Sequence, residues 1–512
     1  MSEQEKKKFF NSRRNFLKKA GLLSGAGFLP IVLPSRQALA EPYKRKRNPA
    51  ALDTGNPVRI SGRVTSEGNG VPNVAITDGL WITETGSDGS YELVSDGRRP
   101  FVYISIPSGF KIPTNPTGTA RFYERIEPDA QGNAQSSFEL EPRRVSEDHH
   151  HFLLLADPQT QDEYEVERFH SETVPDIANL VGNFGDRPAF GIGCGDLMFD
   201  NLELFPEYEK AVYNSGIPFF QVLGNHDILF DVRSTEASYE VFYEYFGPAY
   251  YSFDIGEIHY VVLNDIFWHG NGYVGYIDRD QLDWLEADLG RVENGKTVVV
   301  ALHLPVLSMQ YRRLGHSSPP THISVQNREE LYRLLEPYNA HILSGHTHEH
   351  EHVFEHGVHE HIHGTVCGAW WSGPICWDGT PNGYGLYEAR GSELRWKYKS
   401  TGFDLDHQMR VYPKGSDPEA PDEIVANIWN WDPEWEVVWY EGGDRRGKMS
   451  QRLGLDPKSV ELHSGEDKPE RRTWVNPQLN NHMFYAPVSG DGRDIIVEAT
   501  NRWGETYTGM AE

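Results

Sequence analysis

Five apolar runs in this 512-residue chain end in side chains of the metal-binding type. "HFLLLA" leads into Asp157, Pro158 and Gln159, and "AFGIGCG" leads into Asp196 and, within "GDLMFDN", Asp200. "PFFQVLG" is followed by Asn225, His226 and Asp227, "TVVVALH" ends at His303, and "AHILSG" precedes His346 and His348. Carboxylates, an amide and several imidazoles together suit Mn, Fe or Zn. An Asp with a second ligand two residues on, at the end of a buried strand, is a common start to a hydrolytic metal site. The second residue is usually His; here it is Gln159, whose amide oxygen is neutral and a weaker donor. Taken singly, a His-x-His pair is an ordinary surface or core feature, and an Asn-His pair is an ordinary turn. Five such endings in succession point to one site.

Continuous apolar runs of this length are how strands buried on both faces read. Between them, "VERFHSETVPDIANLV" and "NREELYRLLEPY" carry helical patterns. From His149 the chain therefore reads as an α/β region with a sheet at its centre, and ligands in such sheets gather outside the carboxyl ends of the strands. Gly195, Gly224 and Gly345 are expected to let the backbone turn sharply there. From Val58 to about Leu140, short alternating strands predict a small β-sandwich, with Asp88-Gly89 as a hairpin turn. After about residue 402 helices are expected to vanish, leaving a third, β-rich domain. The division is 1–40 export segment, 41–55 linker, 56–145 sandwich, 146–402 central domain and 403–512 β-rich domain.

The ordered motifs over roughly residues 149–400 resemble the calcineurin-like metallophosphoesterases, whose pattern runs Asp-x-His, Gly-Asp-x-x-Asp, Gly-Asn-His-Asp/Glu, a lone His, then Gly-His-x-His. The flanking regions resemble a bacterial subgroup with an N-terminal β-sandwich and a C-terminal β domain. The resemblance implies an α/β central domain, a β-sheet sandwich flanked by helices, between two all-β domains. It implies a site for two divalent or trivalent ions, Mn, Fe or Zn. Asp157, Asp196 and His348 would hold the first, with Gln159 in the His position. Asp196, Asn225, His303 and His346 would hold the second, and Asp196 would bridge. The implied reaction is hydrolysis of phosphomonoesters or phosphodiesters by metal-bound hydroxide. His226 would be the general acid, oriented by a carboxylate. Asp200 is the candidate, four residues after Asp196 where the family often has three, and Asp227 is its rival. Phe199 stands where purple acid phosphatases have a Tyr ligand, and "FDNLE" stands where protein Ser/Thr phosphatases continue Asp-Arg-Gly, so neither subclass pattern fits. Gln159 is expected to weaken or tune the first metal without abolishing it.

Beyond the fifth motif, His346, His348, His350 and His352 alternate and are expected on one face of a strand, with His359, His361 and His363 on its hairpin partner. A polar sheet face with hydrogen-bonded imidazoles is the reading for His350, His352, His356 and His359. His361 and His363 lead to "GTVCGAWWSGPICWDGTPNGY". Its Trp370, Trp371, Asp378, Asn382 and Tyr384, with His363, are expected to line a substrate pocket; a packed loop core is the alternative. Cys194 reads as core, while Cys367 and Cys376 form either a short disulfide or two buried thiols.

At the amino end, "SRRNFLKKAG", a short apolar run and Ala38-Leu39-Ala40 resemble a twin-arginine export signal. That implies a partner in the twin-arginine translocation machinery and a periplasmic or secreted product. The run is broken by glycine and Pro30, so no stable membrane anchor is expected. The formal charge is 48 − 75 = −27, and without residues 1–40, which hold 8 basic and 2 acidic residues, 40 − 73 = −33. Such an acidic body argues against binding nucleic acid or anionic membrane. The expected partner is a small-molecule phosphate ester. The competing reading is a catalytically weak or inactive cell-envelope protein that binds a glycan or surface partner.

Overall fold

The computed structural model describes residues 57–466, 468–489 and 494–511. The export segment and the linker read from the sequence lie outside them. The described residues form one compact unit. Among the described residues no helix is long and apolar enough to cross a membrane.

The five apolar runs do become strands, but they divide between two sheets rather than lying in one. Phe219–Val222, Ala189–Cys194 and His149–Leu155 run parallel, and the hairpin Gly383–Arg390 and Glu393–Ser400 extends that sheet. Thr297–Ala301 and Asn339–Ser344 pair in parallel in a second sheet. Ile258–Val262 and Tyr251–Ile255 flank them on one side, and Val358–Ile362 and Glu351–Glu355 on the other. An apolar run says that both faces of a strand are covered; it does not say which sheet the strand joins. The inner faces meet over Phe152, Phe190, Phe220, Tyr260, Val299, Leu343 and Tyr387. Phe220 stacks on Phe253 at 3.8 Å between ring centroids.

Helices cover the outer faces. Val174–Gly182 buries Val174, Ile177 and Leu180, one stripe at helical spacing. The segment read as one helix is broken at Phe169–Thr173 by a π-helical turn just ahead of Pro175. Proline brings no N–H for the preceding turn, and a wider turn absorbs the loss.

The N-terminal region forms a five-stranded and a four-stranded sheet. It shares one hydrophobic core with the central sandwich, from Val58 through Phe122 to Trp396. Asp88-Gly89 does not close a hairpin, because Ile82–Glu84 and Ser90–Ser95, on either side, pair in different sheets. The C-terminal region is two four-stranded sheets around Val411, Ile424, Trp435, Phe484 and Val497. Helices do not vanish there: Pro457–Ser464 is one, with Asp456 accepting from Ser459 N as its cap and proline in the first turn. Nor is the histidine run a strand from His346; the strand begins at Glu351, and His346 and His348 lie in the loop before it.

A buried ion pair fastens the outer helices to the sheet edge. Lys399 Nζ lies 2.7 Å from Asp176, which also accepts from Tyr384 OH at 2.7 Å and Gly402 N at 3.1 Å. Asp176→Ala is expected to lower unfolding free energy by about 3 kcal/mol, because Lys399 would stay buried without a counter-charge. The urea midpoint measures it.

Candidate metal centre

The carboxyl ends of the two sheets face each other, and the turns that leave them carry the predicted residues. Six of those residues sit in left-handed backbone: Asp157 (φ 48°), Gln159 (41°), Asp196 (48°), Asp200 (63°), His346 (70°) and His348 (55°). Each costs a non-glycine residue about 1 kcal/mol or more, so the turns must be held by other contacts. The holding bonds run between turns. Gln159 N donates to Asp196 O at 3.0 Å, His346 N to Asp157 Oδ2 at 2.9 Å, and His226 N to Asp196 Oδ1 at 2.8 Å. Asp227 accepts from the backbone N–H of Leu197, Met198 and Gly224 at 3.0–3.1 Å. It braces two turns.

The glycines serve this crowding in a way the sequence reading missed. Only Gly195 has positive φ, 76°; Gly224 and Gly345 do not. A Cβ on Gly224 would stand 1.9 Å from Asp196 N, and one on Gly345 would stand 2.4 Å from Asp157 Oδ2. These two positions need glycine for close approach, not for a sharp turn.

Side-chain donors converge around Asp196. His303 Nδ1 donates to Cys194 O at 2.9 Å, which aims Nε2 inward, 3.2 Å from both Asp196 Oδ1 and Asn225 Oδ1. His348 Nδ1 donates to Gly368 O at 2.6 Å, leaving Nε2 3.6 Å from Asp157 Oδ1. His346 Nε2 donates to His322 O at 3.0 Å. One ligand atom each from Asp196, His303 and His346 lies within 4.8 Å of the others. Asp157 Oδ1, His346 Nδ1 and His348 Nε2 are buried and have no hydrogen-bond partner among the described residues. Buried polar atoms are rarely left so. A carboxylate oxygen and two imidazole nitrogens orphaned at one place are a donor set that fits divalent cations.

Burial pushes the Asp157 carboxyl up to about 8. Burial raises Asp196 as well, but His303 and His226 more than offset it and hold that carboxyl below the usual range. Burial pulls His303 down, yet Asp196 overrides it and lifts the imidazole to about 10. His348 is pushed down to about 3 by burial, and His346 also lies well below its ordinary value. Burial thus favours the uncharged imidazole at both, the form that coordinates.

Gln159 lies within this group, with Nε2 donating to Asp196 Oδ2 at 2.6 Å. In that orientation the amide nitrogen occupies the side from which its oxygen would coordinate. A half-turn of the amide exchanges the two. His226 Nδ1 lies 2.6 Å from Asp200 Oδ1, and its Nε2 is 3.9 Å from Asp196 Oδ2.

The expected substrate loop divides. Trp370 reaches the site, stacking on His348 at 3.8 Å. The others do not line a pocket, because each is buried in the fold. Trp371 is core, donating from Nε1 to Pro158 O at 2.9 Å beneath the first ligand turn. Tyr384 OH donates to Asp176. Asp378 accepts from His350 N and Thr380, His363 Nε2 meets Tyr387 OH at 2.6 Å, and Asn382 donates to Gly373 O. Cys367 and Cys376 are buried free thiols, and Cys194 is buried core. Sequence reasoning missed three further residues. Asp265, fully buried, accepts from the backbone N–H of His303 and Leu304 and fixes that turn. Trp474 is 51% exposed and lies 4.5 Å from Trp370. The Arg472 guanidinium lies 4.8 Å above Phe199, which packs on His226. "RRTW", a basic and aromatic cluster in an acidic chain, was the available signal.

Three family models match in chain order. They are the N terminal of Calcineurin-like phosphoesterase over residues 58–143, Calcineurin-like phosphoesterase over 150–350, and the C terminal of Calcineurin-like phosphoesterase over 360–507. The chain belongs to the calcineurin-like phosphoesterase family. It is similar to the human serine/threonine-protein phosphatase CPPED1, 27% identical over 203 residues, which is 35% of this chain and 62% of that protein. The chain thus spans less than two thirds of that relative. It is also similar to purple acid phosphatase 13 of Arabidopsis thaliana, 27% identical over 139 residues, 25% of this chain and 24% of that one. Among solved structures, the purple acid phosphatase PPD1 of yellow lupin aligns over 67% of each chain at 14% identity and a TM-score of 0.37.

Gly224→Ala is expected to disrupt the site from within. The new methyl meets backbone that cannot give way, costing about 3 kcal/mol or more. Bound metal and Tm should fall together in the variant.

Proposed function

We propose that this chain is an exported metal-dependent phosphoesterase that hydrolyses small phosphomonoesters or phosphodiesters. Export is supported by the amino-terminal resemblance to a twin-arginine signal and would put the enzyme in the periplasm or outside the cell. The carrying observation is the set of orphaned ligand atoms, Asp157 Oδ1, His346 Nδ1 and His348 Nε2, around the buried Asp196. Asp157, His348 and Gln159 would hold one cation, and Asn225, His303 and His346 a second, with Asp196 shared. Bound there, Mn, Fe or Zn would supply Lewis acidity and an activated water for attack on phosphorus.

The chain's own residues do the rest. Asp200 holds His226 at Nδ1 and leaves Nε2 to deliver a proton to the leaving oxygen. Asp227 and Asp265 keep the turns in register. Trp370 and the exposed Trp474 offer flat apolar faces beside His348, which suits an alcohol with a ring or other planar group. The charge balance disfavours nucleic acid as the substrate.

Two outcomes test this. His226→Ala is expected to lower kcat about 100-fold or more on alkyl phosphates and far less on nitrophenyl esters, whose leaving group needs no proton. The full chain, stripped and reloaded with Mn, Fe or Zn, should hydrolyse mono- or diesters; no turnover with any of them would overturn the reading. One observation favours an inactive binding protein instead, since Gln159 satisfies Asp196 without a cation. Gln159→His separates the two readings. Tighter metal binding with changed turnover supports the enzyme, and unchanged metal content with no turnover supports the binding protein.

A further inference from the structure

Away from the metal centre, the second sheet carries a layer of imidazoles. His341 and His359 are register partners on adjacent parallel strands, and His361 follows two residues on. His352, on the antiparallel edge strand, pairs with His361. Alternation puts these four side chains on one face. That face points inward: His341, His352, His359 and His361 all lie against Trp396 of the other sheet, with ring centroids 4.5–6.1 Å away. They are 8%, 9%, 6% and 0% exposed. The polar face expected from the sequence is therefore an interior one, where neighbouring rows carry aliphatic residues.

Their nitrogens face one another. His341 Nδ1 is 3.1 Å from His361 Nε2, and His352 Nδ1 is 3.0 Å from His359 Nε2. His361 Nδ1 is buried without a partner among the described residues. One ring nitrogen each from His341, His359 and His361 lies within 4.8 Å of the other two. The tautomers follow from Asn430, whose Oδ1 accepts from His352 Nε2 at 3.2 Å. His352 Nδ1 must then accept from His359 Nε2, and the lone pair of His359 is left on Nδ1. With Zn–N bonds of about 2.0–2.1 Å, the nitrogens of a tetrahedral zinc site stand about 3.3 Å apart. The His341–His361 pair, at 3.1 Å, is close to that spacing. The cluster is closed off by the C-terminal region: Arg502 lies 5.0 Å over Trp396 and is paired with Asp432 at 3.0 Å.

We propose that His341, His359 and His361 bind one transition-metal cation of imidazole preference, zinc or copper, at a structural site separate from the metal centre. The donor set is all nitrogen, unlike the oxygen-rich centre around Asp196, so the two sites select ions differently.

The test uses the full chain carrying Asp157→Asn and Asp196→Asn, which disables the metal centre and makes the result independent of the proposed activity. Stripped of metal and titrated with Zn²⁺ or Cu²⁺ in separate arms, this chain should retain one ion. X-ray absorption should report a first shell of nitrogen alone, at about 2.0 Å for zinc. Adding His341→Gln and His361→Gln should abolish that ion. No retained ion in either arm, a first shell dominated by carboxylate oxygen, or an ion that survives both histidine substitutions would overturn the proposal. The Asp-substituted chain keeps every histidine, so its ion count and shell decide the matter even where the histidine variant does not fold.

Discussion

Asp196 is 1% exposed, and His226 N, Gln159 Nε2 and His303 Nε2 approach its carboxylate at 2.8, 2.6 and 3.2 Å. Each of the three arrives from a different strand end. Remove the side chain's oxygens and the turns lose their common acceptor. The left-handed backbone at Asp157, Gln159, Asp196, Asp200, His346 and His348 then has less to hold it. Gly224 exists to let a second turn press against this carboxylate, and Asp227 ties that turn to the residues after Asp196.

The two-sheet arrangement explains why so many ligands meet. Asp157, Asp196 and Asn225 leave the first sheet, while His303 and His346 leave the second. The sheets pack face to face over an aromatic core, so their carboxyl ends share a rim. Each candidate His ligand is aimed by a backbone carbonyl on its other nitrogen: Cys194 O for His303, Gly368 O for His348 and His322 O for His346. Ligand direction is thus a property of the turns as much as of the ligands. The flanking regions take part. The N-terminal region shares the central core, and the C-terminal region brings Trp474 and Arg472 to the rim and Asn430 and Arg502 to the imidazole layer.

Much of this was legible beforehand. The strand ends, the order of residue types at them, the hairpin that sets His359 and His361 opposite the strand of His352, and three regions of distinct rhythm all follow from local periodicity and from residue chemistry. The misses share a cause. Trp371 and Trp370 are neighbours of the same type in one loop, yet one is core and the other stacks on His348. Nothing in "GAWWSG" distinguishes them, because the difference lies in what packs against each.

Sequence alone determined which strands end in residues of metal-binding type and what chemistry such residues suit, since both depend on residue type and spacing within a few positions. Tertiary structure alone decided which sheet each strand joined, that Gly224 and Gly345 serve close approach, that Gln159 faces Asp196 with its nitrogen, and that the histidine face turns inward. Those outcomes depend on contacts between segments tens to hundreds of residues apart. Local pattern cannot encode such a contact, because the same pattern is satisfied by any surface that covers it.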